Sequence, residues 1–153
     1  MAASGIHYKD STKKYMAIYC LILGVINIGI GMIQVIGDIM AIGGIDPRLP
    51  VIMPPDFFGG ICLIVIGLVF LLGVPPLLNK DDKGVAFLVG GVILALMLGI
   101  IYLMVMGSDG IMYLIGSEDF ETWVPLDDFV PALWVSFFSI PGAFVAWKIR
   151  NIK

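Results

Sequence analysis

Histidine occurs once in the 153 residues, as His7, and cysteine twice, as Cys20 and Cys62. A lone histidine ahead of the first apolar run excludes haem ligation by buried histidine. Two isolated cysteines cannot make a CxxC metal or redox site. They fall in separate apolar runs near opposite faces, too far apart for a disulfide, whose Cα atoms lie within about 7 Å. Charge is equally scarce. Charged residues make up 14% of the chain, against about 25% in a soluble domain. That is too little polar surface to cover a water-soluble globule. The net charge of −3, with no basic cluster, excludes a nucleic-acid surface.

Other absences concern chemistry. Alternating strand patterns are missing, which excludes a membrane barrel and leaves no strand for a glycine-rich phosphate loop to follow. No carboxylate lies in the middle of an apolar run, so the usual proton or sodium relay lacks its key residue. Ser136 and Ser139 have no base on the same run. No DxDxDG-type calcium loop is present. Met40, Met53, Met106 and Met112 lie near one face, but without a histidine beside them they read as apolar packing rather than a copper(I) site. The chain is not expected to be an enzyme by itself, nor to carry a cofactor; bound lipid is the expected ligand.

What remains is apolar: 59% of the residues are hydrophobic. A hydrocarbon core of roughly 30 Å needs about 20 such residues in helical form. Runs at 15–40, 57–78, 84–106 and 129–149 meet that length. The expected fold is an all-α integral membrane protein with four transmembrane helices in a single domain. A cleaved signal peptide does not fit the first run, which is longer than the roughly 7–15 residues of a signal core.

Basic residues set the orientation. Lys9, Lys13, Lys14, Lys80, Lys83, Lys148, Arg150 and Lys153 fall on one side, and Arg48 alone on the other. Both termini are therefore expected in the cytoplasm, with the chain in the plasma membrane of a prokaryote. Asp38, Asp46, Asp56, Asp109, Glu118, Asp119, Glu121, Asp127 and Asp128 gather on the outer side, predicting a structured acidic cap of loops. Tyr15, Tyr19 and Trp147 mark the inner boundary; Phe57, Phe58, Phe120, Trp123 and Phe129 mark the outer one, as interfacial aromatics do.

The two halves of the chain share landmarks. Displacing the sequence so that Lys9-Asp10 falls on Lys80-Asp81 also sets Asp38 on Asp109. One residue more sets Ile39-Met40 on Ile111-Met112 and Asp56-Phe57 on Asp128-Phe129. Halves 9–78 and 80–153 are thus readable as two parallel copies of a helical hairpin, related by an axis along the membrane normal. In either half the rim aspartate reads as the residue that stops the helix and caps the next turn. Residues 111–115 read as a short interfacial or capping segment.

Asn27, Gly31, Gln34 and Asp38 recur at steps of four, three and four, which places them on one helix face. Such a face serves either interhelical hydrogen bonds or a polar pathway, with Asn27, Gln34, Asp38 and Asp109 as the ion-contacting candidates. Small residues line the other faces: Gly60 and Gly67; Gly91, Ala95 and Gly99; Ala132, Ser136, Ser139 and Ala143. They permit close helix approach, within the chain or against other chains. Pro131 suits a first helical turn, and Pro141 interrupts the fourth run.

Two functions fit. One is a non-catalytic accessory subunit of a larger respiratory, oxidoreductase or transport complex, with lipids and other membrane subunits as partners. The other is a small homo-oligomeric cation channel or transporter, its acidic outer vestibule concentrating cations.

Overall fold

A computed structural model describes residues 10–150 of the chain, except residue 51 and the side chains of residues 10, 11, 143 and 145–150. Four α-helices follow one another: α1 (Asp10–Ile42), α2 (Phe57–Leu78), α3 (Lys83–Leu114) and α4 (Pro131–Arg150). A single 3-10 turn, Glu118–Phe120, interrupts the last connection. Among the described residues, three helices are long and apolar enough to cross a membrane: Thr12–Ile42, Phe57–Leu78 and Lys83–Leu114. α4, expected as a fourth crossing, is described in its side chains only over residues 131–142 and 144, so its full length as a span lies outside the described residues.

Neighbours in the chain are neighbours in space. α1 packs on α2, α2 on α3 and α3 on α4, while α1 meets α4 only lightly. The pairings run antiparallel. Gly31 faces Gly60 and Gly24 faces Gly67; further along, Gly73 faces Gly84 and Gly99 faces Ser136. The starts of α1 and α3 and the ends of α2 and α4 therefore share one end of the bundle, the termini end. The core runs through Leu23, Leu63, Ile66, Phe70, Leu88, Val92, Ala95 and Val135. Ile22, Val25, Met32, Ile36, Leu72, Ile93 and Ile100 face outward, exposed, as lipid-facing positions are.

The helix stops differ from expectation. α3 does not end near residue 106; it continues through Gly107-Ser108-Asp109-Gly110 to Leu114. Residues 111–114 are its last turn, not a separate interfacial segment. Asp38 and Asp109 lie inside α1 and α3, so neither stops its helix. Glycines do. Gly44 and Gly116 take positive φ, 76° and 73°, a conformation open to residues without a Cβ. After α1, the Ile45 N–H bonds the Met40 carbonyl at 2.9 Å and the Gly44 N–H bonds that of Ala41 at 3.0 Å. After α3, Ser117 bonds Met112 and Gly116 bonds Tyr113, each at 3.1 Å. This is the same Schellman stop twice. A helix already carrying a long apolar run gains a bond for each residue added, so one Gly-Ser-Asp-Gly stretch does not end it.

α2 begins at the Asp56 N-cap, whose Oδ1 accepts the Gly59 N–H at 2.8 Å. Pro131 opens α4, where its missing N–H costs nothing. Among its described residues, the proline-rich connection 43–56 has no regular structure. The Lys13 ammonium is buried at the termini end. It donates to the Lys80 carbonyl at 2.6 Å and to Asp82 at 2.7 Å, tying α1 to the turn between α2 and α3. His7, Lys9 and Lys153 lie outside the described residues, as do the side chains of Ala143, Trp147, Lys148 and Arg150.

Candidate functional site

The polar face of α1 points into the bundle, against α2. Asn27 is 0% exposed and Gln34 1%. Between them Gly31 allows contact of the two backbones. A Cβ on Gly31 would stand 2.5 Å from the Gly60 carbonyl oxygen, and one on Gly60 would stand 2.7 Å from that of Gly31. Gly24 and Gly67 repeat the arrangement two turns away; a Cβ on Gly67 would stand 2.8 Å from the Gly24 carbonyl. The Asn27 amide donates to the Leu23 carbonyl of its own helix at 2.8 Å. The Gln34 amide donates to the Pro54 carbonyl at 3.2 Å, which pins the proline-rich loop. Asn27 Oδ1 and Gln34 Oε1 have no partner among the described residues.

The loop end carries the carboxylates. Asp38 and Asp109 are half-buried, and neither accepts a hydrogen bond from a described residue. The bonded carboxylates are others. Tyr102 on α3 donates its hydroxyl to Asp56, so one aspartate both caps α2 and ties it to α3. Gly59 leaves room for this pair: a Cβ there would collide with the Asp56 carboxylate and the Tyr102 hydroxyl. The Trp123 indole donates to Asp128 at 2.7 Å, and the Val124 N–H bonds Asp127 at 3.1 Å. Among the described residues no three histidine, cysteine or acidic side chains gather where they could hold a metal ion.

Compared with known proteins, residues 10–149 match the family described as the MJ0565 integral membrane domain. The chain belongs to that family. It is 31% identical over 132 residues to the uncharacterized protein MJ0565 of Methanocaldococcus jannaschii, and the match covers 86% of each chain. No solved structure matches. The chain is thus a helical, multi-pass membrane protein.

In this family member the described small residues are turned inward. Gly60 and Gly67 meet α1. Gly91 lies against the Phe70 ring, and Gly99 against Ser136. Ala95 and Ala132 are buried. Ser136 donates to the Leu133 carbonyl at 2.6 Å and Ser139 to that of Val135 at 3.3 Å, both within α4. Sequence reasoning did not anticipate the Asp56–Tyr102 link, which joins residues far apart in the chain, or the buried Lys13. Nor did it find Trp134 on α4, whose indole N–H is enclosed with no partner among the described residues. An aspartate directly before an apolar run is an N-cap signal; nothing local announces its tyrosine.

Proposed function

We propose that the chain is a non-catalytic accessory subunit of a larger membrane complex of respiratory, oxidoreductase or transport type. In this reading all four helices cross the plasma membrane, both termini are cytoplasmic, and bound lipid is the only small ligand. The observation that carries it is the outer reach of α3. Tyr102 lies beside the first turn of α2, and Gly99 beside the first turn of α4. Beyond Tyr102, α3 therefore continues without a neighbouring helix to Leu114, a length of roughly 18 Å at 1.5 Å per residue. Leu103, Met104, Val105, Ile111 and Leu114 are exposed along one side of it, while Met106, Asp109 and Gly110 on the other side are half-buried, with Trp123 against Gly110 and Tyr113.

Lipid is a poor cover for all of this mast. Asp109 sits within it, and a carboxylate costs more the deeper it lies in hydrocarbon. With Asp109 near the headgroups, Ile111, Met112 and Leu114 stand above the apolar layer. Apolar surface at that height is what a partner protein covers. Acidic neighbours (Asp109, Glu118, Asp119 and Glu121) favour a partner with a basic rim. The buried face of α1 supports the same choice over a channel, because Asn27 and Gln34 are enclosed within the chain and line no open path. The paired stops at Gly44 and Gly116 share the offset that aligns Ile39-Met40 with Ile111-Met112, which supports the duplicated-hairpin reading.

Gentle extraction from the native membrane, followed by mass determination of the intact complex, tests the role. Larger partners at fixed stoichiometry are expected, and Leu114→Glu should release them while the chain stays folded. A stable monomer would refute the subunit role. A closed ring of identical copies would refute it in favour of the channel; lower cation flux through Asp38→Asn and Asp109→Asn variants would then follow.

A further inference from the structure

α4 contains Pro141 followed by Gly142. Proline has no N–H, so the Phe137 carbonyl loses its helical partner at this point. The next pair has an outside partner. In an α-helix the Gly142 N–H bonds the Phe138 carbonyl. Here the Tyr19 hydroxyl of α1 reaches both groups: it donates to the Phe138 carbonyl at 2.6 Å and accepts from the Gly142 N–H at 3.2 Å. A side chain inserted into the hydrogen-bond ladder is a recognised cause of helix bending. One rung of α4 thus lacks its donor, and both groups of the next bond the Tyr19 hydroxyl. Gly142 adds backbone freedom, and it is packed: a Cβ there would stand 2.7 Å from Val92 Cγ2 and 3.0 Å from Tyr19 Cε1.

Beside this joint lies a cavity of about 250 Å³ lined by Thr12, Tyr15, Met16, Tyr19, Leu88, Pro141 and Gly142. It opens at the termini end, where α1 and α4 touch only lightly. Among the described residues, the Tyr19 hydroxyl is the polar contact that ties α4 to α1 at this joint.

We propose that Pro141-Gly142 is a hinge, that Tyr19 is its latch, and that release of the latch swings the end of α4 away from α1 and opens the cavity.

Backbone hydrogen exchange of the full chain in lipid nanodiscs tests this, with Tyr19→Phe as the first variant. The ring remains and both latch bonds are lost. Exchange in the α4 segment from residue 142 onward should quicken on the order of tenfold, while α2 amides keep their rates. The double variant Tyr19→Phe with Pro141→Ala restores the missing rung and should return α4 exchange to the parent level. Unchanged α4 exchange in Tyr19→Phe would overturn the latch. Equal quickening in all four helices would overturn it too, since Tyr19 would then be a general packing residue. Failure of Pro141→Ala to slow exchange would overturn the hinge.

Discussion

Gly31 and Gly29 stand two residues apart on α1, and their surroundings assign them opposite tolerance. A Cβ at Gly31 meets backbone of α2, whereas one at Gly29 meets nothing within 4 Å. Gly31→Leu should cost about 1–3 kcal/mol, the usual penalty of overpacking a rigid contact. Gly29→Ala should be neutral or stabilise by up to about 1 kcal/mol through helix propensity. Thermal unfolding of the purified chain in one detergent compares the two. Gln34 supports a second expectation. Its side-chain oxygen is buried without a partner among the described residues, so Gln34→Met removes an uncompensated polar group for the loss of one 3.2 Å bond to Pro54. The net change should stay within about 1 kcal/mol, with proteolysis of the 43–56 loop accelerated as its anchor goes. The spacing of Asn27, Gly31, Gln34 and Asp38 made the shared face legible from the chain alone. It could not say what lies opposite, because Gly24, Gly60 and Gly67 find their partners only through the tertiary crossing of two helices.

Helix positions follow directly from the apolar runs; helix ends do not. α2 matches its run because Asp56 begins it and Asn79-Lys80 end it, signals that flank the hydrophobic stretch. α3 overruns because Ser108, Asp109 and Gly110, turn-formers by propensity, lie between two apolar stretches in the same helix. The residue that ends α3 is instead Gly116, whose φ of 73° is a backbone property with no mark in hydropathy. Gly116→Ala and Gly44→Ala should each lose about 1 kcal/mol, since an L-residue is strained in that region. Asp109→Asn, by contrast, should leave stability within about 0.5 kcal/mol, because Asp109 neither ends α3 nor bonds a described residue. The same melting measurement separates a glycine stop from an aspartate stop. Asp56→Ala removes both the cap of α2 and the Tyr102 link and should cost about 1–2 kcal/mol.

The bundle as a whole is a row of three hairpin contacts, and its long-range polar ties are few. Lys13 makes one of them. Its side chain is 6% exposed and grips Asp82 and the Lys80 carbonyl, partners supplied by a much later part of the chain. Lys13→Met should loosen the termini end, seen as faster exchange of the first turns of α1 and α3. The same contact orders events at synthesis. Lys13 leaves the ribosome long before Asp82, and a lone ammonium is better solvated in water or among headgroups than in a dry helix junction. The first helix therefore has no fixed depth or rotation while it is the only one made. It acquires both when the turn between the second and third helices emerges, so the translocation machinery must hold a loosely seated first helix until more than half of the chain has been built.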